Sequence, residues 1–239
     1  MTRCALPLLP ALLAPLVVLA ASVLKEPFVL PIGAAAACYP VLVLLLLRGR
    51  PLAAVGAVLL WSLTLSGSLI AMTAHDPDAA ASWVAHGAAY RDEMFSFIAT
   101  GKGREADPSR FVPQHTLHLA AFVLLSLASA GLFGIVLGAV LIGYMSYYVG
   151  ALAAAGGAPW TAVLLGWPPY AVLRVVAYVL LGVALTRPLL ERFAGRRLPD
   201  PPGAAFYRTA AALLVADVVL KTLCAPRWAT LLRACLSQS

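Results

Sequence analysis

The sequence predicts an all-α protein, a polytopic transmembrane helical bundle of about seven spans with an amphipathic surface helix in its long outer loop. Three observations lead to this fold class. The 239 residues are 62% hydrophobic and only 11% charged, whereas soluble domains carry about a quarter charged residues. Several apolar runs reach the roughly 20 residues that a helix needs to cross a bilayer. Backbone groups in lipid must pair internally, so these runs are predicted to be helices.

The apolar runs divide the chain into three parts. A three-span membrane segment occupies residues 1–73, an extracytoplasmic loop occupies 74–113, and a four-span module occupies 114–239. The first span also has the layout of a signal peptide, and its cleavage would leave the remaining topology unchanged. The predicted spans in chain order are 5–24, 28–47, 51–73, 114–131, 134–155, 169–187 and 204–224.

The charge distribution predicts the orientation of the spans. The net charge of +7 comes from short basic clusters between apolar runs, which is typical of cytoplasmic loops and argues against a nucleic-acid partner. Arg48 and Arg50 mark one such loop, and a second is marked by Arg187, Arg192, Arg196, Arg197 and Arg208. Residues 74–113 hold four basic and six acidic residues. The pattern predicts a bacterial inner-membrane protein with its N-terminus inside and this loop outside, although Arg227 and Arg233 then fall outside.

The long loop contains a pattern typical of an interfacial helix. Asp78 is positioned to cap a helix over about 79–99. Apolar side chains recur on one side of this segment at helical spacing, and the other side is more polar. These apolar positions are Trp83, Gly87, Tyr90, Met94, Phe97 and Ile98. The pattern predicts a helix that lies on the outer leaflet.

Two glycines in the fifth span form a GxxxG motif. Gly134 and Gly138 follow an uncharged turn in the stretch SAGLFGIVLG. Such a spacing lets two helix backbones approach closely. We expect packing inside the bundle, with contact to another subunit as the alternative.

Three ionisable residues lie clearly within the predicted spans, away from the outer-face histidines and the basic residues near the span ends. Arg174 is about 7–8 Å from the outer end of the sixth span and Asp217 is about 10 Å from the outer end of the seventh. Because these two spans run antiparallel, Arg174 and Asp217 are predicted to lie side by side. Lys221 is four residues after Asp217 and on the same face, where it either shares the carboxylate or extends outward along its stem.

Two interpretations of these charges remain open. A buried pair can hold two helices together, or the charges can line a polar path or bind an anionic group. Pro168 and Pro169 favour the second interpretation because they interrupt the apolar run. Residues 159–167 are then predicted to form a half-helix beside an outward-facing cavity, an arrangement that often marks a binding site.

Histidines on the predicted outer face raise the question of a metal site. His115 and His118 share one side of the fourth span, and His86 and Glu93 lie two turns apart on the surface helix. Together they could hold zinc and activate a water, with Glu93 as the base. No HExxH or similarly tight ligand spacing is present, so polar residues at the headgroup level are the favoured interpretation.

The second half of the chain has a recognisable order of features. An apolar pair with a tight turn, FVPQHTLHLAAFVLLSLASAGLFGIVLGAVLIGYMSYYVGAL, precedes a proline-bearing span, LLGWPPYAVLRVVAYVLLGVALTRPLL. A basic loop follows, and then a last span that ends in ADVVLKTLCAPRW. In this order, residues 111–233 resemble the stage II sporulation M-type membrane protein family. The resemblance implies a non-enzymatic membrane subunit of permease-like character that works with envelope partners.

This chain departs from the pattern of that family at several positions. The family tends to place a polar residue before the proline-bearing span and an acid within it, where this chain has Pro168, Pro169 and Arg174. Near the late glutamate of the family lie Asp217 and Lys221. The extra N-terminal spans have no counterpart.

Three functional hypotheses follow from the sequence. The first is a non-enzymatic transport-like or scaffolding subunit with a buried Arg-Asp-Lys cluster, whose partners are the lipid bilayer and other membrane proteins. The second is a metal-dependent hydrolase that uses the histidines and Glu93, and this is the hypothesis that requires a metal cofactor. The third is a purely structural subunit of a larger assembly.

Overall fold

A computed structural model describes residues 5–156, 158–199 and 203–236, and every regular element in these ranges is helical. The short 3-10 turns Leu6–Leu8 and Arg104–Ala106 accompany ten α-helices. The α-helices are α1 (Leu9–Leu24), α2 (Val29–Leu47), α3 (Pro51–His75), α4 (Pro77–Ala81), α5 (Gly87–Thr100), α6 (Pro108–Ala128), α7 (Leu132–Ala155), α8 (Pro159–Gly166), α9 (Pro169–Ala194) and α10 (Ala204–Leu236).

Seven helices in the described part of the chain are long and apolar enough to cross a membrane. They are α1 with its preceding 3-10 turn, α2, α3, α6, α7, α9 and α10. The predicted all-α polytopic bundle is therefore confirmed, and the chain is an integral membrane protein. We call the side of the bundle that carries residues 76–107 the long-loop side. The basic residues Arg48, Arg50, Arg187 and Arg192 lie on the opposite side.

Helix α7 forms the centre of the bundle, in contact with α2, α3, α5, α6 and α8. Its second half is buried on nearly all sides, including the large side chains of Tyr147 and Tyr148. Gly150 makes this central position possible because a Cβ there would lie 2.8 Å from the carbonyl oxygen of Ile70 on α3. The two helix backbones therefore touch at this point.

Two predicted helix ends differ from those observed. The fourth span begins at Pro108 rather than 114, with Asp107 as its cap. The last span was expected to end at 224, but α10 continues through Pro226 to Leu236. Its final turns are buried at Leu232 and Cys235 because they pack on α5 and α8. This burial outweighs the loss of one backbone hydrogen bond at the proline.

The predicted surface helix is divided in two. Asp76, not Asp78, caps α4, with Oδ1 accepting from the Ala79 N–H at 2.9 Å. The chain then breaks at His86, which has a φ of 61°, and α5 begins at Gly87. A backbone in this left-handed region does not continue a right-handed helix, which explains the break.

The apolar side of α5 faces the bundle and not lipid. Met94, Phe97 and Ile98 are buried, and the helix contacts α7 and α10. Arg233 of α10 donates its Nε–H to the carbonyl oxygen of Ile98 at 3.1 Å, in the last turn of α5. A cation at a helix C-terminus is favourable, which gives Arg233 a reason to lie on the long-loop side.

The two glycines of the GxxxG motif, which follow the turn between α6 and α7, lie in different environments. A Cβ at Gly134 would overlap the Oγ of Ser126 on α6, so this glycine permits close packing of α6 on α7. A Cβ at Gly138 would have no atom of the described residues within 4 Å. The expected packing role therefore applies to Gly134 but not to Gly138.

Candidate functional site

Arg174 and Asp217 form a two-pronged ion pair between α9 and α10. The Nε–H of Arg174 donates to Asp217 Oδ2 at 2.8 Å and an Nη2–H donates to Oδ1 at 2.9 Å. The Asp217 side chain is only 2% exposed, whereas that of Arg174 is 23% exposed. The two residues lie side by side, as their depths in the antiparallel helices led us to expect. Two parallel N–H···O bonds of this kind match the planar edge of a guanidinium to a carboxylate.

Lys221 does not share the carboxylate of Asp217. Its Nζ lies 2.7 Å from Oε2 of Glu105, 3.4 Å from Nε2 of His115 and 4.6 Å from the ring centroid of Phe111. The side chain is 1% exposed and extends toward the long-loop side, where Glu105 covers it. The geometry differs from the expectation of a shared carboxylate because the 3-10 turn Arg104–Ala106 places Glu105 over this end of the bundle.

His115 lies between the two ion pairs. Its Nδ1 is 3.8 Å from Asp217 Oδ2 and forms no hydrogen bond with any described residue. Arg174 and Lys221 are thus balanced by Asp217 and Glu105 within one cluster. A balanced cluster offsets the high cost of buried charge, which a lone cation could not do.

The structure separates the four residues considered for a metal site. His86 is exposed at the start of α5, and Glu93 pairs with Arg104 at 3.3 Å between Oε1 and Nε. His115 and His118 lie on α6 beside the ion pairs. Within residues 5–156, 158–199 and 203–236, no three His, Cys, Asp or Glu side chains are grouped so that they could hold a metal ion.

A cavity of about 130 Å³ opens beside the ion pairs, between α3, α6, α7 and α9. Arg174, His115 and His118 lie at its long-loop end, and Gly131 and Thr186 lie at its opposite end. The wall between these ends is mostly apolar. It includes Val58, Phe122, Ile135, Gly138, Ile142, Val175, Tyr178, Val179 and Val183.

Residues of the cavity lining carry hydrogen-bond donors, and two of these donors lack an acceptor among the described residues. The indole N–H groups of Trp61 and Trp167 are buried and have no hydrogen-bond partner among the described residues. Burial raises the pKa of Tyr90 well above its usual 10.0, so its hydroxyl stays protonated and donates to Met145 Sδ at 3.3 Å. Arg174 is the formal cation in the described lining, which contains no carboxylate.

The predicted half-helix is present as α8, which ends at Gly166. Pro168 and Pro169 stop α8 and start α9, since proline cannot continue the first helix but suits the first turn of the second. The Nε1–H of Trp228 donates to the Leu165 carbonyl oxygen at 2.7 Å and so satisfies the end of α8. The break places Trp167 in the cavity wall.

Sequence reasoning missed Glu105, Trp61 and Trp167 as parts of this site. Glu105 is in a loop whose path over the bundle has no periodic pattern. Trp61 is in an apolar span and is indistinguishable there from a lipid-facing aromatic residue. The proline pair next to Trp167 was the usable indication, because residues at a helix break often line a cavity.

Comparison of the chain with protein-family models, with curated proteins and with solved structures finds no match.

Proposed function

We propose that this chain is a non-enzymatic membrane protein of transport-like function, which holds a small and largely apolar molecule between α3, α6, α7 and α9. One observation carries the proposal: the cavity lies among spanning helices and has unpaired indole donors in its wall. Membrane subunits that act only by packing need no such space, because protein interiors are normally filled to crystal-like density. Buried donors without acceptors are costly, and an acceptor on a bound molecule that reached them would offset that cost.

The charge cluster fits a binding protein better than a hydrolase. Both of its carboxylates, Asp217 and Glu105, are already paired with cations at 2.8 and 2.7 Å. A carboxylate whose oxygens already accept from a cation has fewer acceptor positions left for a reacting water. The helix break at Pro168 adds support, since broken helices often surround the cargo sites of transporters.

Several finer features stay predictions within this proposal. The inner membrane as location, the long-loop side as the outer side and membrane-protein partners rest on charge pattern and on the resemblance to stage II sporulation M-type proteins. Scaffolding is the alternative function. It requires stable partner subunits instead of an occupied cavity.

The test compares two glycine-to-phenylalanine variants. Gly138→Phe places a ring where the structure has open space in the cavity wall, and Gly67→Phe places the same ring on the exposed face of α3. Each protein is purified from membranes in mild detergent and analysed by native mass spectrometry for bound small molecules. A molecule found on the wild type is then assayed for flux in liposomes.

We expect a bound molecule on the wild type and on Gly67→Phe, and its loss from Gly138→Phe. Equal occupancy in all three proteins would show that the cavity is not the binding site. If the wild type carried no bound molecule but purified with stoichiometric protein partners, the result would favour scaffolding. A stoichiometric metal ion in the purified protein would reopen the hydrolase hypothesis.

A further inference from the structure

The guanidinium group of Arg174 has donors to spare. Asp217 uses the Nε–H and one Nη2–H, and the second Nη2–H and both Nη1–H groups have no acceptor among the described residues. The side chain is 23% exposed and lines the cavity. A guanidinium carries five donors and is always charged, so this edge can still bind an anion.

Only one of the two charged residues of the ion pair belongs to the cavity lining. Arg174 is part of the lining, but Asp217 is 2% exposed and is not. Glu105, the other carboxylate of the cluster, is also outside the lining. A molecule in the cavity therefore meets the positive end of a buried pair, and the described lining presents no carboxylate to it.

Further donors share the long-loop end of the cavity with Arg174. They are the indole N–H of Trp167, the imidazole of His118 and the phenol of Tyr144. The remaining wall toward Thr186 is formed by aliphatic and aromatic side chains with a few small residues. The cavity thus has a polar, donor-rich end and a long apolar body.

We infer that the occupant is an amphiphile with an acidic head group, a carboxylate or a phosphate ester, bound by Arg174, and with a hydrocarbon tail along α7 and α9. This inference rests on the proposed function, because it names the class of molecule that the cavity holds. Apolar cavities of about 150 Å³ hold a benzene-sized group. The ≈ 130 Å³ here therefore encloses about six carbons, and a longer tail extends beyond the cavity.

The test uses three 12-carbon amphiphiles that are brominated in mid-chain and differ only in the head group: phosphate, hydroxyl and trimethylammonium. Bromine quenches nearby indoles, and Trp61 in the wall of the cavity reports entry of the tail. Quenching is measured on the detergent-solubilised full chain. Gly138→Phe gives the quenching that occurs without cavity binding, and Gly67→Phe is the matched control.

We expect the phosphate amphiphile to bind about tenfold or more tightly than the hydroxyl one, because charge-assisted hydrogen bonds are about twice as strong as neutral ones. The trimethylammonium amphiphile should bind most weakly. Inorganic phosphate at equal concentration should not displace the phosphate amphiphile. If inorganic phosphate did displace the phosphate amphiphile, the inferred amphiphilic occupant would be wrong and the result would indicate a soluble anion.

A double variant tests the role of Arg174 without leaving a charge unpaired. Arg174→Ala/Asp217→Ala removes both partners, and its fold is checked by thermal melting. It should bind the phosphate and hydroxyl amphiphiles equally. A tenfold preference that persists in this variant would show that Arg174 is not the anion receptor.

The outcomes separate the two proposals. Equal binding of all three amphiphiles to the wild type, blocked by Gly138→Phe, would overturn the acidic head group and leave the cavity as a binding site. Quenching that is the same in the wild type and Gly138→Phe for every amphiphile would overturn both.

Discussion

The Nζ of Lys221 lies 2.7 Å from the Oε2 of Glu105, so a lysine within the last spanning helix is neutralised by a residue of the long loop. The Lys221 side chain is 1% exposed and that of Glu105 is 13% exposed. The contact fixes the turn Arg104–Ala106 to the bundle. It also closes the long-loop side of the cluster that contains Arg174 and Asp217.

Glu105→Gln should release this turn. The substitution leaves a buried ammonium without its counter-ion, and breaking a buried pair from one side costs about 3–5 kcal/mol. We expect trypsin to cut the folded protein faster after Lys102 and Arg104, which are exposed in the same turn region. Limited proteolysis with mass-spectrometric mapping measures the rate.

Asp92→Asn serves as the control for the loop experiment, since it breaks an exposed ion pair with Arg91 that is worth little. Its cleavage rate should match that of the wild type. Glu105→Gln/Lys221→Met should recover thermal stability because no unpaired charge remains, but trypsin should still cut it faster than the wild type because the contact is absent. If Glu105→Gln is cut no faster than Asp92→Asn, the ion pair does not fix the loop.

Neutralising Asp217 alone should destabilise the bundle more than neutralising the whole pair. Asp217→Ala leaves the Arg174 guanidinium beside apolar side chains, at an expected cost of about 3 kcal/mol or more. Arg174→Ala/Asp217→Ala should cost less, with a coupling energy well above 1 kcal/mol. Thermal melting of the four proteins of this cycle measures the coupling. Additive effects of the single changes would mean that the two charges do not stabilise each other.

Alanine at two glycines of α7 should give opposite results. A Cβ at Gly150 would lie 2.6 Å from the Thr73 Cβ and 2.8 Å from the Ile70 carbonyl oxygen. Such overpacking typically costs about 1–3 kcal/mol. Gly138→Ala meets open space and should be neutral or stabilising, since alanine is the better helix former. Melting temperatures test the contrast, and equal values for the two variants would show that α3 and α7 do not touch at Gly150.

Asp107 should make stability depend on pH at the start of α6. Hydrogen bonds from the Ser109 hydroxyl and backbone N–H, at 2.7 and 2.9 Å, lower the pKa of Asp107 below its usual 3.8. A carboxyl with a lowered pKa in the folded state stabilises the fold above pH 3.8, and this contribution disappears as the pH falls through the lowered pKa.

Asp107→Asn provides the comparison, because asparagine caps a helix without titrating. Between about pH 5 and pH 2.5, the melting temperature of the wild type should fall more than that of the variant. Parallel pH profiles of the two proteins would mean that the Asp107 cap does not respond to pH.

The fold was largely predictable because hydrophobic runs of bilayer length leave the backbone one solution, the helix. The errors arose where tertiary packing outweighs local sequence. Pro226 indicated an end, but α10 continues because Leu232 and Cys235 are buried against other helices. The segment around His86 was expected to be continuous helix, because Gly87, the local indication of a break, was assigned to the apolar side of that helix.

The site was predictable in its intramembrane charges and in the helix break at Pro168 and Pro169. A charge in an apolar span requires a partner, and the antiparallel order of α9 and α10 identified Asp217 for Arg174. The partner of Lys221 could not be found in this way, because Glu105 is on a loop whose position depends on the contacts of α5. The apolar residues of the cavity wall could not be predicted either, because apolar residues that face a cavity and those that face lipid have the same composition.

The ion pair between α9 and α10 has a consequence for the biogenesis of the protein. A charged residue inside a single spanning helix opposes its release from the insertion machinery into lipid, by up to about 2.5–3.5 kcal/mol at the helix centre and by less toward the ends. Arg174 has this effect on α9, and Asp217 and Lys221 have it on α10. The two helices are therefore best suited to partition as a hairpin. Because α9 is synthesised before α10, Arg174 gains its partner Asp217 only when α10 has been made.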